Sequence, residues 1–131
     1  AVLAVTDAVR RIATDRPVVE VAYDPWRFHG EALRLEAEGI GPLVAFPQSH
    51  ARMTVASERL HSAIVERRLR HPAHPYLDRH VGQAVARQVA GRGWRLDKTD
   101  PAHQIDAVGA LAMAAERAEH KPAPAQLVGW I

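Results

Sequence analysis

The sequence predicts an α/β fold in which parallel strands are flanked by helices. Three observations carry this. Val18-Val19-Glu20-Val21-Ala22-Tyr23 is a β-branched and aromatic run that suits a pleated, half-buried strand. A helical stretch separates it from a second short apolar run over 42–46, and strand–helix–strand order favours parallel strands joined by a crossover. Residues 105–118 are rich in Ala and Gly, a composition that lets a helix lie close against a sheet.

Residues 5–14 are expected to form an amphipathic helix with Val5, Val9 and Ile12 on one face. Asp15-Arg16-Pro17 ends it, because the residue before a proline avoids the helical region. The strand over 18–23 stops at Asp24-Pro25, and a loop carries Trp26, Arg27 and Phe28. A second helix over 30–38 closes at Gly39, a suitable C-cap, and Gly41 and Pro47 bound the second strand. A longer helix is expected over 55–70, burying Leu60, Ile64 and Leu69, until His71-Pro72-Ala73-His74-Pro75 breaks it. Residues 76–89 read two ways. Val81, Val85 and Val89 fit a helical repeat, and they also fit an alternating strand through Gln83 and Arg87. Gly91-Arg92-Gly93 is a turn before a short strand at 94–96. The last helix takes Asp100 as N-cap and Pro101 at its first position, continues through 105–118 and ends at Lys121-Pro122. Residues 1–121 are assigned to one domain and 122–131 to a tail or linker.

Composition narrows the function. With 131 residues, 47% of them hydrophobic and 24% charged, the chain has the balance of a globular domain with a core of its own. It lacks the roughly 18 consecutive apolar residues of a membrane-spanning helix. There is no cysteine, which removes disulfides, thiolate metal sites and thiol catalysis. The net charge is only +2, yet arginine far outnumbers lysine and clusters at Arg67, Arg68 and Arg70, beside His71. Guanidinium groups suit bidentate phosphate contacts.

Two carboxylates stand out. Asp24 lies at the C-terminal end of the first strand, where α/β sheets concentrate ligand-binding groups. Asp106 is the only charged residue between Ile105 and Ala115, and a buried carboxylate needs a partner. A hard divalent cation, Mg2+ or Mn2+, is one such partner. Simpler roles stand beside these. Asp24 also suits a turn, and Asp106 suits the positive end of a helix dipole or a pairing with Lys98 or His103. Glu20 shares a strand face with Asp24 but lies about 13 Å from it, too far for one ion. His71, His74 and His80, near Asp78, match no standard zinc spacing. Neither Ser49 nor Ser57 has a nucleophile-elbow setting, and no phosphate-binding glycine loop is present.

Several blocks, in order, resemble one family. Tyr23-Asp24-Pro25-Trp26 after an apolar strand is similar to the "YDPW" element of phage terminase large subunits. Phe46-Pro47-Gln48-Ser49 with Met53 and Ser57 resembles the next block, and Arg68-Leu69-Arg70-His71 with Pro75 the one after. Lys98 followed by Ile105-Asp106-Ala107-Val108-Gly109-Ala110-Leu111-Ala112-Met113-Ala114 resembles the terminal signature. The resemblance covers residues 17–118.

It implies a partial ribonuclease-H-like fold whose opening strands, with a first catalytic acid, are expected upstream of Val18. It also implies an endonuclease that cuts concatemeric double-stranded DNA with two divalent metals, Mg2+ or Mn2+. On this reading Asp24 and Asp106 are the second and third acids and the metal ligands. Lys98 positions the scissile phosphate or holds Asp106, and Arg67, Arg68, Arg70 and His71 hold the DNA backbone. The implied partners are an upstream ATPase domain of the same polypeptide, the small terminase subunit and the portal, in the cytoplasm of a bacterial host. An unpaired edge on the strand over 18–23 predicts that the isolated fragment dimerises or rearranges, and without the upstream acid the fragment is expected to be inactive or weakly active alone. Two positions depart from the pattern: Gln83 stands where the family has Asn, and Gln104 where a basic residue is usual. The competing expectations are a non-catalytic DNA-binding or assembly module and a different ribonuclease-H-like enzyme such as a junction resolvase.

Overall fold

The computed structural model describes residues 2–120, apart from the side chain of Val2. The tail assigned to 122–131 lies outside the described residues. The chain divides into two compact units, Ala1–Met53 and Thr54–Ile131.

In the first unit, helix α1 (Val2–Asp15) leads to a β–α–β sequence: β1 (Val21–Tyr23), α2 (His29–Ala37) and β2 (Leu43–Ala45). The two strands pair in parallel, Val21 with Leu43, Ala22 with Val44 and Tyr23 with Ala45. The expected crossover is therefore present, but β1 is half as long as the apolar run suggests. Beyond the ladder proper, the amide of Val21 donates to the Pro42 carbonyl at 3.0 Å and that of Phe46 to the Tyr23 carbonyl at 2.7 Å. Proline at 42 and 47 has no N–H, so no backbone donor continues the ladder at those positions. Val19, in the leading part of the run, is 79% exposed.

The core of this unit is Tyr23, Ala32, Leu35 and Leu43, with Val9, Val21, Phe28 and Ile40 packed around it. Helix α1 contributes Val9 and not the face expected from periodicity, since Val5 and Ile12 are exposed and Thr6 is fully buried. Arg10 fixes this rotation with a bidentate pair to Glu38 at 2.8 Å for each bond. After α2, Gly39 adopts the left-handed φ of 86° that ends the helix, much as expected. Gly41 sits at φ 131°, and a Cβ there would meet the Leu43 amide nitrogen at 2.8 Å.

Helix α3 (His50–Val65) starts five residues before the expected position because Ser49 caps it, its Oγ accepting the Arg52 amide at 3.2 Å. It also stops early. Arg67 takes a left-handed φ of 56°, and the amides of Arg67 and Arg68 return to the carbonyls of Ile64 and Ala63. This is the Schellman pattern with arginine in the place that glycine usually fills.

Residues 76–89 satisfy each sequence reading in part. The first half is helix α4 (Pro75–Gln83), capped by His74, whose ring accepts the Tyr76 amide, with proline at its first position. The second half is β3 (Val85–Val89), which turns through Gly91 into β4 (Gly93–Asp97) as an antiparallel hairpin. The Ser57 hydroxyl of α3 accepts the Leu96 amide at 3.0 Å and ties the hairpin down. Helix α5 (Asp106–Glu119) turns Val108, Ala112, Met113 and Glu116 inward. Asp100 caps no helix. Its side chain accepts the Ala102 amide at 2.8 Å within an isolated turn, and α5 begins only at Asp106.

Asp97 closes the hairpin by bonding Arg87 across the strands and accepting the Lys98 amide. The Lys98 amide first, then Arg87, hold its carboxyl below the usual carboxylate range. A carboxylate depressed by folding adds stability above its unfolded pKa of about 4 and loses it as pH falls through the native value. Asp97→Asn is therefore expected to flatten the acid limb of the stability profile below about pH 4. The effect should stay under about 1 kcal/mol because the group is solvent-screened. Urea unfolding at a series of pH values measures it. Among the described residues, no helix is long and apolar enough to cross a membrane.

Candidate metal centre

Asp24 follows directly on Tyr23, so its carboxylate leaves the C-terminal end of a parallel strand, as the sequence led us to expect. One oxygen, Oδ1, accepts the Trp26 amide at 3.0 Å. The turn reading is thus correct for one oxygen and leaves the other without a hydrogen-bond partner among the described residues. The preceding side chain is fixed as well, since the Tyr23 hydroxyl lies 2.9 Å from His29 Nδ1.

Asp106 opens α5 in the second unit and is exposed, which corrects the expectation of a buried carboxylate. The apolar stretch around it misled because its inward face starts at Val108 and leaves Asp106 on the rim. Asp106 has no ion-pair or hydrogen-bond partner among the described residues. Lys98 does not hold it. The Lys98 ammonium donates instead to the His103 carbonyl at 2.9 Å, bracing the loop that leads into α5.

Two residues that the sequence reading did not assign to the site act on the same segment. The Nδ1 atom of buried His80 accepts the Ala107 amide at 2.9 Å, and Gln83 Oε1 accepts the Gln104 amide at 2.9 Å. They stand one turn apart on α4. That spacing was visible in the sequence, but their partners lie more than twenty positions downstream.

The basic cluster divides. Arg67 and Arg70 are exposed and make no ion pair among the described residues. Arg68 is committed to Glu119 at 2.7 Å and Glu66 at 2.6 Å, and these contacts raise its pKa, Glu119 most. Glu119 also receives Arg59 at 3.2 Å, so Arg68 joins the ends of α3 and α5. His71 Nδ1 lies 2.9 Å from the Pro72 carbonyl, and His74 and His80 accept backbone amides. Among the described residues, no group of three or more His, Asp or Glu is placed to hold a metal ion. Taken singly, Asp24 and Asp106 each offer carboxylate oxygens of the kind that a hard divalent cation prefers.

Comparison with known proteins gives a consistent result. The family described as "Terminase large subunit, endonuclease domain" matches residues 2–121. The terminase large subunit of Enterobacteria phage HK97 is 32% identical over 109 residues, 81% of this chain and 21% of that protein. The crystal structure of the HK97 bacteriophage large terminase superposes with a TM-score of 0.77 at 29% identity, covering 89% of this chain and 25% of that one. This likeness agrees with the partial ribonuclease-H-like α/β fold expected from the sequence. The chain spans about a fifth of the length of the curated relative that it matches.

Proposed function

Because this chain belongs to the family of terminase large subunit endonuclease domains, we propose that it cuts double-stranded DNA during phage packaging by metal-dependent phosphodiester hydrolysis. The observation that carries this reading is a pair of carboxylates with no ion-pair partner among the described residues, each at an element end suited to ligand binding. Asp24 ends a parallel strand, and Asp106 begins a helix. They would be the ligands of Mg2+ or Mn2+ that this chain contributes. Bound there, such ions would supply Lewis acidity, polarising the scissile phosphate and easing deprotonation of the attacking water.

The protein's own groups have separate tasks. The Asp24–Trp26 turn holds one carboxylate oxygen and leaves the other for a ligand. Lys98 steadies the loop before Asp106 and has further ammonium protons for a phosphate oxygen. Arg67 and Arg70 grip the DNA backbone, whereas Arg68 serves mainly as an internal tie. His71 lies beside them for a weaker contact. In this reading the chain acts with an ATPase domain of the same polypeptide, the small terminase subunit and the portal, in the cytoplasm of the host cell.

Titration with Mn2+ and incubation with linear double-stranded DNA test the proposal. Mn2+ binding that a chelator reverses and Asp24→Asn weakens is expected, with Mn2+-dependent cleavage in the longer polypeptide that carries the first acid and its loss there in Asp24→Asn. Salt-sensitive DNA binding that neither Mn2+ nor that substitution alters would instead make the chain a DNA-binding or assembly module.

Arg67 allows a second check, because a non-glycine residue in the left-handed region costs about 1 kcal/mol. Arg67→Gly is expected to raise stability by about that much. If Arg67 holds a phosphate, the same change should reduce the salt dependence of DNA affinity by about one charge. Denaturant unfolding and a salt titration of binding read the two effects separately.

A further inference from the structure

We propose that His80 is the positioning residue for Asp106, and that it acts by capping α5 from outside, so that Asp106 need not cap the helix itself. The inference rests on the reading of Asp106 as a metal ligand.

The first amides of a helix have no partner within it, and a side chain at the N-cap usually satisfies one of them. At α5 the N-cap residue is Ile105, which has no side chain able to do so. An aspartate in the first turn is the usual substitute. Asp106, however, accepts no amide among the described residues, and the Ala107 N–H donates to His80 Nδ1 at 2.9 Å. A ring nitrogen that accepts a hydrogen bond has no proton, so the neutral ring of His80 carries its proton on Nε2.

His80 is well placed for this task, being only 8% exposed and carried by α4. Gln83, one turn further along α4, takes the Gln104 amide at 2.9 Å. The backbone is thus gripped on both sides of Asp106 by one helix, and Lys98 braces the residue before, His103. The carboxylate itself stays exposed, its oxygens uncommitted among the described residues, as a ligand for a cation must be.

The test compares two substitutions in the full chain. Asparagine places an amide oxygen close to the position of Nδ1, whereas leucine keeps comparable bulk and offers no acceptor. His80→Leu is expected to speed hydrogen exchange at the Ala107 amide and to weaken Mn2+ affinity by about 10- to 100-fold, the range seen when groups that orient metal ligands are removed. His80→Asn is expected to stay within a few-fold of the parent on both measures. Isothermal titration with Mn2+ and amide exchange followed by NMR supply the readouts.

A folded His80→Leu chain that binds Mn2+ as tightly as the parent would overturn the inference. So would equal losses in His80→Leu and His80→Asn. Should His80→Leu fail to fold, Gln83→Met at a half-buried position carries the test, with several-fold weaker Mn2+ binding expected and unchanged binding overturning it. A parent chain that binds no Mn2+ would overturn the metal reading and this inference with it, a result distinct from a parent and His80→Leu that bind equally.

Discussion

Asp106→Asn is expected to weaken Mn2+ binding by more than about 100-fold while leaving the fold intact. Asparagine keeps the shape of the side chain and removes its charge. The structural cost is small because Asp106 is exposed and unpaired among the described residues. What α5 loses is the favourable interaction of a negative charge with its N-terminal dipole, worth about 0.3–1 kcal/mol. The functional cost is large because a hard cation depends on anionic oxygen donors. Changes to groups that merely orient a ligand already cost 10- to 100-fold, so loss of a ligand should exceed that. Isothermal titration and a thermal melt of the same sample separate the two costs. A large fall in melting temperature with unchanged Mn2+ affinity would make Asp106 a structural residue.

Leu35→Ala is expected to destabilise the chain by about 2–5 kcal/mol, the range for emptying a fully buried leucine site. That is a large share of the roughly 5–15 kcal/mol that holds a domain together. Leu35 lies on α2 in the cluster with Tyr23, Ala32 and Leu43, where it joins the crossover helix to both strands. The ladder between those strands has three residue pairs and contributes little by itself. Tyr23 therefore depends on this cluster for its position, and Asp24 follows Tyr23 directly. Weaker Mn2+ binding should accompany the lost stability. Urea unfolding with an unchanged m-value checks the first effect, and a loss below about 1 kcal/mol would show that the cluster is not the main hold on β1.

What the sequence made legible was mostly local. The β-branched run ending at Tyr23, the glycine at 39 and the short run before Pro47 together specify a parallel crossover, and the structure has one. Boundaries depended on groups with more than one use. Ser49 reads equally as loop or cap, and as a cap it starts α3 early. Arg67 carries no sequence signal for a left-handed backbone, yet it ends α3. Asp100 and Pro101 have the form of a helix start but make only a turn, because the chain needs the braced loop over 98–105 before α5 can begin.

The sequence singled out the two candidate carboxylates and not the groups that hold the backbone beside Asp106. Asp24 and Asp106 stand out by placement and by resemblance to a family. His80 and Gln83 do not, since their partners are backbone amides far along the chain, and a backbone acceptor leaves no mark on residue type. The arginine cluster looked uniform in sequence. Only the positions of Glu66 and Glu119 show that Arg68 is committed, while Arg67 and Arg70 make no ion pair among the described residues.

The central claim of the proposal is that Asp24 and Asp106 each serve as ligands of a divalent ion, and paramagnetic broadening tests it most directly. Mn2+ added in small substoichiometric steps to the isotopically labelled chain should broaden the amide signals of Trp26 and of Ala107, each beside one of the two carboxylates, with excess Mg2+ restoring both. Broadening at only one of the two positions, or at neither, would contradict the account.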